Sequence, residues 1–158
     1  MSRETQLWIF VSLETSGPVI GAHSMTQLGA VVGSIKHGVL DRFETLVRPI
    51  GTALTDNPEG FLKAQEEGRD PQEVMQGLAA WCKPFEKFHA IFVARPAAFD
   101  WPWIVWYART YLGSNPFGYR VVCAMSWYLA KGKKFELKLP PVAVKAAELQ
   151  LLDFLKEA

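Results

Sequence analysis

The chain has 158 residues, 49% of them hydrophobic, and 17 Lys and Arg against 16 Asp and Glu give a net charge of +1. This length fills one hydrophobic core and is short for two, so we expect a single domain over residues 1–158. The near-neutral charge excludes a general attraction to polyanions, and any nucleic-acid site must therefore be local.

The beginning of the sequence shows no sign of a membrane span or a secretory leader. Its apolar run, Leu7 to Leu13, stops at Glu14, whereas a spanning helix needs about 20 apolar residues and a leader needs a small-residue cleavage pattern. Cys82 and Cys123 are too few for a disulfide framework or a zinc site. We therefore expect a cytoplasmic protein without membrane contact, with both cysteines in the core.

The first part of the chain predicts three strands in a meander. The run Leu7 to Leu13 is nearly continuously apolar, as expected for a central strand covered on both faces. Met25 to Ile35 and Val39 to Val47 follow it, separated by a tight hairpin turn at Lys36-His37-Gly38. The segment Pro49 to Gly60 is rich in Gly, Pro, Thr and Asp and predicts a loop.

The rest of the chain alternates helices with short strands. Asp70-Pro71 predicts a helix start, with the aspartate at the N-cap. Ala90 to Val93 is a short apolar strand, expected to lie parallel to the first. The other predicted elements are a helix from about Trp101 to Leu112, a loop from Gly113 to Gly118, a strand from Val121 to Cys123, and helices over Ala124 to Lys131 and Val142 to Lys156. This order predicts an α/β fold, a mixed five-stranded sheet with flanking helices.

The segment Ser12-Leu13-Glu14-Thr15-Ser16-Gly17 looks like a metal-nuclease strand whose first carboxylate is missing. Such strands carry Asp-x-Glu, and residues two apart on a strand point to the same face. Both acids can then reach a pair of divalent ions that clamp a phosphodiester. Here the first acid is replaced by Ser12, whose neutral hydroxyl supplies neither the charge nor the bridging oxygens.

Together with this motif, the layout resembles the DEDDh 3′-5′ exonucleases of ribonuclease H-like fold, the group that contains ribonuclease T and oligoribonuclease. In the second motif, Val93 to Asp100, the resemblance places Asp100 at the family's third metal-binding acid, while Arg95-Pro96 replaces the usual His-Asn. In the third motif, Pro141 stands for the general-base histidine and Ala146 for the last aspartate.

The resemblance implies a degenerate catalytic and metal site. Glu14 and Asp100 remain, and Ser12, Pro141 and Ala146 mark the degenerate positions. Loss of the general base alone is usually worth about 10²–10⁴ in rate. We therefore expect no cofactor, or weakly bound Mg²⁺ or Mn²⁺ on Glu14 and Asp100. Taken alone, Glu14 also suits a turn that needs a hydrogen-bond acceptor, and Asp100 suits a helix N-cap.

No neighbour on the last helix is expected to replace the lost acid. Glu148 lies about 200° around the helix axis from Ala146, and Asp153 lies roughly 10 Å along it. His23, in the loop after the first motif, has two interpretations: it approaches the site from another direction, or it is a solvated surface residue.

Two further groups have both a nucleic-acid and a structural interpretation. Lys131, Lys133 and Lys134 form the concentrated positive segment, which suits either a phosphate backbone or a solvated loop. One predicted helix carries several aromatic residues, which suit either base stacking or core packing. These are Trp101, Trp103, Trp106, Tyr107 and Tyr111.

The sequence therefore predicts a catalytically degenerate 3′-5′ exonuclease-like domain that binds a single-stranded RNA or DNA end or a protein partner. The first alternative is an active or weak metal-dependent 3′-5′ exonuclease that uses Glu14 and Asp100. The second is a structural module for protein interaction, and a homodimer is compatible with each of these.

Overall fold

The computed structural model describes residues 3–51, 55–134 and 138–157. Its five strands are β1 (Trp8–Thr15), β2 (Met25–Ser34), β3 (Gly38–Leu46), β4 (Ile91–Ala94) and β5 (Val121–Cys123). They form one sheet in the order β3-β2-β1-β4-β5. β1 is antiparallel to β2 and parallel to β4, and β4 is parallel to β5. The predicted mixed five-stranded sheet is confirmed, including a parallel strand beside the first.

The described residues also form five α-helices. These are α1 (Pro58–Glu67), α2 (Pro71–Glu86), α3 (Ala97–Leu112), α4 (Ala124–Ala130) and α5 (Ala143–Glu157). None of these helices is both long and apolar enough to cross a bilayer. The predicted cap of α2 is present, because Asp70 Oδ1 accepts a hydrogen bond of 2.9 Å from the backbone N–H of Gln72.

Two predicted boundaries were wrong. The loop predicted to end at Gly60 stops earlier, because α1 begins at Pro58. Asn57 caps this helix by accepting a hydrogen bond from Gly60 N–H. Residues 52–54 of the predicted loop lie outside the described residues. The helix predicted from about Trp101 begins at Ala97. Asp100 is therefore in the first turn of α3 and does not cap it.

The sheet carries a hydrophobic core on each face, and β1 contributes to both. The odd-numbered side chains from Leu7 to Leu13 pack with residues of α2 and α3. Trp8 and Phe10 point the other way and pack with α5. A strand with this alternation is buried on both faces, which confirms the prediction for the first strand.

Helix α5 approaches the sheet most closely at Gly29 on β2. A Cβ built on Gly29 would overlap the backbone of Ala143 and Val144, at the start of the helix. Gly29 pairs with Ser12 of β1. The absence of a side chain at Gly29 therefore brings the start of α5 down onto the strand that carries the first motif.

We expect Gly29→Ala to lower the free energy of unfolding by about 1–3 kcal/mol, because the added methyl group meets backbone and forces α5 away from the sheet. Urea denaturation followed by circular dichroism measures this change. Gly77→Ala, in the middle of α2, is the matched control. Its Cβ would meet only the ring of Phe43, at 3.6 Å, so it should be neutral or stabilising. Equal effects of the two changes would contradict the close approach.

Candidate functional site

The side chains of the first motif point toward α5. Because side chains alternate along a strand, Ser12 and Glu14 continue the face on which Trp8 and Phe10 pack against α5. Ser12 and Glu14 are both partly buried. The regular pairing of β1 with β2 ends at Glu14, where the register shifts. Glu14 thus stands at the carboxyl end of the central strand.

Asp100 closes the end of β1 from the side of α3. Its Oδ1 accepts a hydrogen bond of 3.2 Å from the backbone N–H of Leu13. β4 pairs with β1 only as far as Phe10. Leu13 lies beyond the segment that is paired with β4, and its N–H donates to the Asp100 side chain instead of to β4. Glu14 is the next residue after Leu13 and its charge acts on Asp100, so the two acids lie near one another at the carboxyl end of β1.

Both acids sit where burial disfavours the ionised form. Burial raises the pKa of Asp100 to about 8, against hydrogen bonds from the backbone N–H groups of Leu13 and Asp100 that lower it. The charge of Glu14 raises it further. Burial also raises the pKa of Glu14. Without a cation beside it, Asp100 is therefore largely neutral at pH 7.

The third motif meets the first at the start of α5. The backbone N–H of Ala143 donates a hydrogen bond of 3.1 Å to Gln27 Oε1, and Gln27 is the strand partner of Glu14. One turn further along, Ala146 is only 2% exposed. Pro141 precedes the helix and is exposed. The positions compared with the lost aspartate and histidine are therefore occupied by a buried methyl group and an exposed ring without a proton acceptor.

The carboxylates of α5 are engaged elsewhere. Glu148 binds the guanidinium of Arg42 on β3, with Nε to Oε2 at 2.8 Å, and Asp153 accepts a hydrogen bond of 2.8 Å from the hydroxyl of Tyr128 on α4. Neither replaces the acid missing at Ala146, as predicted.

His23 is not a fully solvated surface residue, and its ring lies beside Gly17 of the first motif. Its Nδ1 accepts a hydrogen bond of 3.1 Å from the backbone N–H of Val19, and its ring fills the space beside Gly17. The ring is partly buried. His23 therefore closes the loop that follows the first motif.

The aromatic residues of α3 belong to the core. Trp103 and Tyr107 are fully buried, and Trp101, Trp106 and Tyr111 are partly buried against the same cluster. The Tyr107 hydroxyl accepts a hydrogen bond of 2.8 Å from Met25 N–H and fixes the start of β2. Base stacking on these rings as a group is therefore not supported.

The predicted lysine segment follows α4. Lys131, Lys133 and Lys134 are exposed, and Lys131 Nζ lies 4.8 Å from the centre of the Trp127 ring. Because α4 follows β5, the segment stands on the β4–β5 side of the sheet. The segment leads toward the start of α5, but residues 135–137 lie outside the described residues.

Cys123 is a site residue that the sequence analysis missed. Cys82 is 2% exposed and confirms the prediction of a core thiol, whereas Cys123 is only partly buried, at the N-cap of α4. Burial raises the pKa of Cys123, but hydrogen bonds from the Ser126 hydroxyl and nearby backbone N–H groups outweigh it and lower the pKa. Its charge also acts on Asp100. The sequence feature that could have indicated its place near the site is its position at the carboxyl end of a predicted parallel strand.

This donor set does not fit a pair of divalent ions. Within the described ranges, no three His, Cys, Asp or Glu side chains are grouped so that they could hold a metal ion. Two hard cations need several ionised carboxylates to share. Glu14 and Asp100 are two acids, and burial favours the neutral form of each.

The chain is similar to a curated protein over most of its length. The 3′-5′ DNA exonuclease Cap18 of Escherichia coli is 30% identical over 135 residues, which are 81% of this chain and 71% of that protein. No family model matches the chain.

Solved structures show the same fold at low sequence identity. A full-length 3′-exonuclease matches with a TM-score of 0.68 and 11% identity, over 96% of this chain and 61% of that one. Escherichia coli exonuclease I in complex with a dT13 oligonucleotide matches with a TM-score of 0.63 and 12% identity, over 96% of this chain and 40% of that one. The chain thus spans less than two thirds of either protein.

We expect the free energy of unfolding to fall as pH rises from about 4 to about 8. In the folded state Asp100 keeps its proton up to a pKa of about 8, whereas in the unfolded chain it releases the proton near pH 4. Between these two values a rise in pH favours the unfolded chain, so the free energy of unfolding falls. The contribution of one such group is at most about 1.4 kcal/mol per pH unit. Asp100→Asn keeps an acceptor for Leu13 N–H but does not titrate, so it should flatten the curve.

Urea denaturation at pH 5 and pH 8.5 measures this effect, and Asp56→Asn, at an exposed aspartate, is the control. The stability of Asp100→Asn relative to the unmodified chain should increase between the two pH values. A difference that stays constant would show that Asp100 is ionised throughout.

Proposed function

Because the chain belongs to the DEDD-type 3′-5′ exonuclease-like superfamily, we propose that residues 1–158 act as one catalytically degenerate domain that binds the 3′ end of a single-stranded nucleic acid. The observation that carries this proposal is the pair of uncharged positions on the α5 side of the remnant cleft, by which we mean the region around Glu14 and Asp100 at the carboxyl end of β1. Ser12 and Ala146 stand where the family has acids, and Ala146 is buried against the sheet. The remnant cleft keeps β1, α3 and α5 around it and lacks the charge that would hold two ions.

The names of the similar proteins support DNA as the nucleic acid that is bound. Cap18 is named a 3′-5′ DNA exonuclease, and exonuclease I was solved with a dT13 oligonucleotide. The exposed Lys131, Lys133 and Lys134 supply local positive charge that a chain of net charge +1 otherwise lacks. We propose that this segment binds the phosphates of a strand whose 3′ end enters the cleft beside Glu14.

The alternative is a weak, metal-dependent exonuclease. It is supported by the 30% identity to a named exonuclease and by the meeting of Glu14 and Asp100 at the end of β1. One Mg²⁺ or Mn²⁺ held weakly by these two acids is the cofactor of this alternative. The other alternative, a module for protein interaction, is supported by exposed apolar side chains on α4, where Leu129 is 68% exposed.

We expect the protein to bind a labelled single-stranded DNA oligonucleotide in Mg²⁺ or Mn²⁺ and to leave its length unchanged. Binding depends on the lysine segment, whereas cleavage depends on acids that are absent. Fluorescence anisotropy measures the binding, and denaturing gels measure the length. Replacing Lys131, Lys133 and Lys134 together by glutamine should weaken binding by roughly tenfold and reduce its salt dependence.

The matched control replaces Lys63, Lys83 and Lys145, three exposed lysines on other helices, by glutamine and should retain most of the affinity. Progressive shortening of the oligonucleotide that disappears in Glu14→Gln would establish the weak exonuclease instead. If the oligonucleotide kept its length and showed no measurable binding, the result would favour the protein-interaction module.

We expect the combined restoration Ser12→Asp, Ala146→Asp and Pro141→His to make stability depend on metal. The added acids repel one another and lower the melting temperature of the apo form, and an ion that binds only the folded state raises it by mass action. Single restorations should respond much less, because metal ligands act as a unit.

Thermal melts in Mg²⁺, Mn²⁺ and chelator provide the measurement. Lys145→Asp, an exposed position on α5, is the control for added charge. If the folded triple variant melted at one temperature in all three conditions, Ser12, Pro141 and Ala146 would not share a site.

A further inference from the structure

A second cavity lies at the end of the sheet opposite the remnant cleft. It has a volume of about 270 Å³ and is enclosed by the end of α2, the loop before β4 and the loop between α3 and β5. Ala90 and Arg120 line it and immediately precede β4 and β5. It therefore opens at the amino ends of these parallel strands, while Glu14 and Asp100 meet at the carboxyl end of β1.

The cavity has an apolar floor and a charged rim. Ile9, Cys82 and Phe117 form buried parts of the floor. The rim is made of four exposed side chains, Glu86, His89, Tyr119 and Arg120. An apolar pocket with a few convergent polar groups is the usual form of a small-molecule site, and this volume is near the lower end of the usual range of about 300–1,000 Å³.

The rim carries the Arg120 guanidinium next to the His89 ring. Arg120 Nη2 lies 3.5 Å from His89 Nδ1, so the two side chains converge. The ion pairs among the described residues join Arg42 to Glu148 and Arg69 to Glu73, and Arg120 therefore has no carboxylate partner in this part of the chain. Two nitrogen-bearing side chains that meet beside an apolar pocket suit a phosphate group.

The backbone holds this rim in a fixed arrangement. His89 has a φ of +49°, which is uncommon for a residue other than glycine. Two hydrogen bonds hold this conformation. The His89 N–H donates to the Glu86 carbonyl at 2.9 Å, and Gln6 Nε2 donates to the His89 carbonyl at 3.1 Å. On the other side, Asn115 Nδ2 donates to the Gly118 carbonyl at 3.1 Å and closes the turn that presents Tyr119. The Tyr119 side chain is 90% exposed.

We propose that this cavity binds a nucleoside monophosphate whose base carries an exocyclic amino group. The base lies over the apolar floor and stacks on Tyr119. The phosphate binds Arg120 and His89, and Glu86 accepts a hydrogen bond from the amino group. This site is separate from the remnant cleft and does not depend on whether the cleft binds or cleaves DNA.

Isothermal titration calorimetry with dAMP tests the proposal on the full chain. Arg120→Gln should weaken binding of dAMP by about tenfold or more, since it removes a charge-assisted contact, and Tyr119→Ala should also weaken it. Glu86→Gln should reduce the preference for dAMP over dTMP, whose base has no amino group. All three side chains are exposed, and circular dichroism checks that each variant is folded.

Two variants and two ligands serve as controls. Arg48→Gln and Lys63→Gln, at exposed residues outside the cavity, should both leave dAMP binding unchanged. Deoxyadenosine and inorganic phosphate should each bind at least tenfold more weakly than dAMP. No heat of binding at millimolar dAMP, binding insensitive to Arg120→Gln, or phosphate as tight as dAMP would each overturn the proposal.

Discussion

The hydrogen bond from Leu13 N–H to the Asp100 carboxylate, 3.2 Å long, is the interaction on which the cleft depends. It ties the carboxyl end of the central strand to the first turn of α3, at a point where β4 no longer reaches β1. The acid that accepts it is 4% exposed, and a buried backbone donor without a partner costs about 1–3 kcal/mol. Asp100 therefore has a structural task that persists without a metal. Its retention, unlike that of an exposed carboxylate, does not by itself indicate catalysis.

Much of the fold follows from patterns that the sequence displays directly. The continuous apolar run into Glu14 predicts a strand buried on both faces, and β1 is buried on both faces because its alternate side chains enter two different cores. Asp70-Pro71 predicts the start of α2, and the capping hydrogen bond to Gln72 N–H is present. These features are local or periodic, so each can be derived from a few neighbouring residues. The placement of Asp100 beside β1 required the family resemblance, since 87 residues separate it from Leu13.

The features that were missed depend on individual contacts, some within the same loop or helix start and some with other segments. Asp100 alone before Trp101 looks like an N-cap, but Pro96 begins the helix earlier and leaves Asp100 free to face the strand. Cys123 looks like an apolar core residue in its own segment, and it acquires its hydrogen bonds only because β5 delivers it to the start of α4 and beside Ala97 at the start of α3. Likewise, His23 closes its loop through Val19 and Gly17. No periodicity in the sequence encodes such partners.

If Ser12 and Ala146 occupy the positions of family acids, as the resemblance implies, their neutrality also bears on how α5 is held to the sheet. Four carboxylates in a partly buried cleft repel one another unless cations lie between them, so an intact site of this kind is costly when it is empty. Here the start of α5 rests on Gly29, the backbone N–H of Ala143 donates to Gln27 Oε1, and a buried Ala146 adds no charge. Burial raises the pKa of Glu14 and of Asp100, which favours the neutral form of each. In this structure the start of α5 is thus joined to β2, beside the carboxyl end of β1, by packing and by a neutral hydrogen bond, without a charge from Ala146.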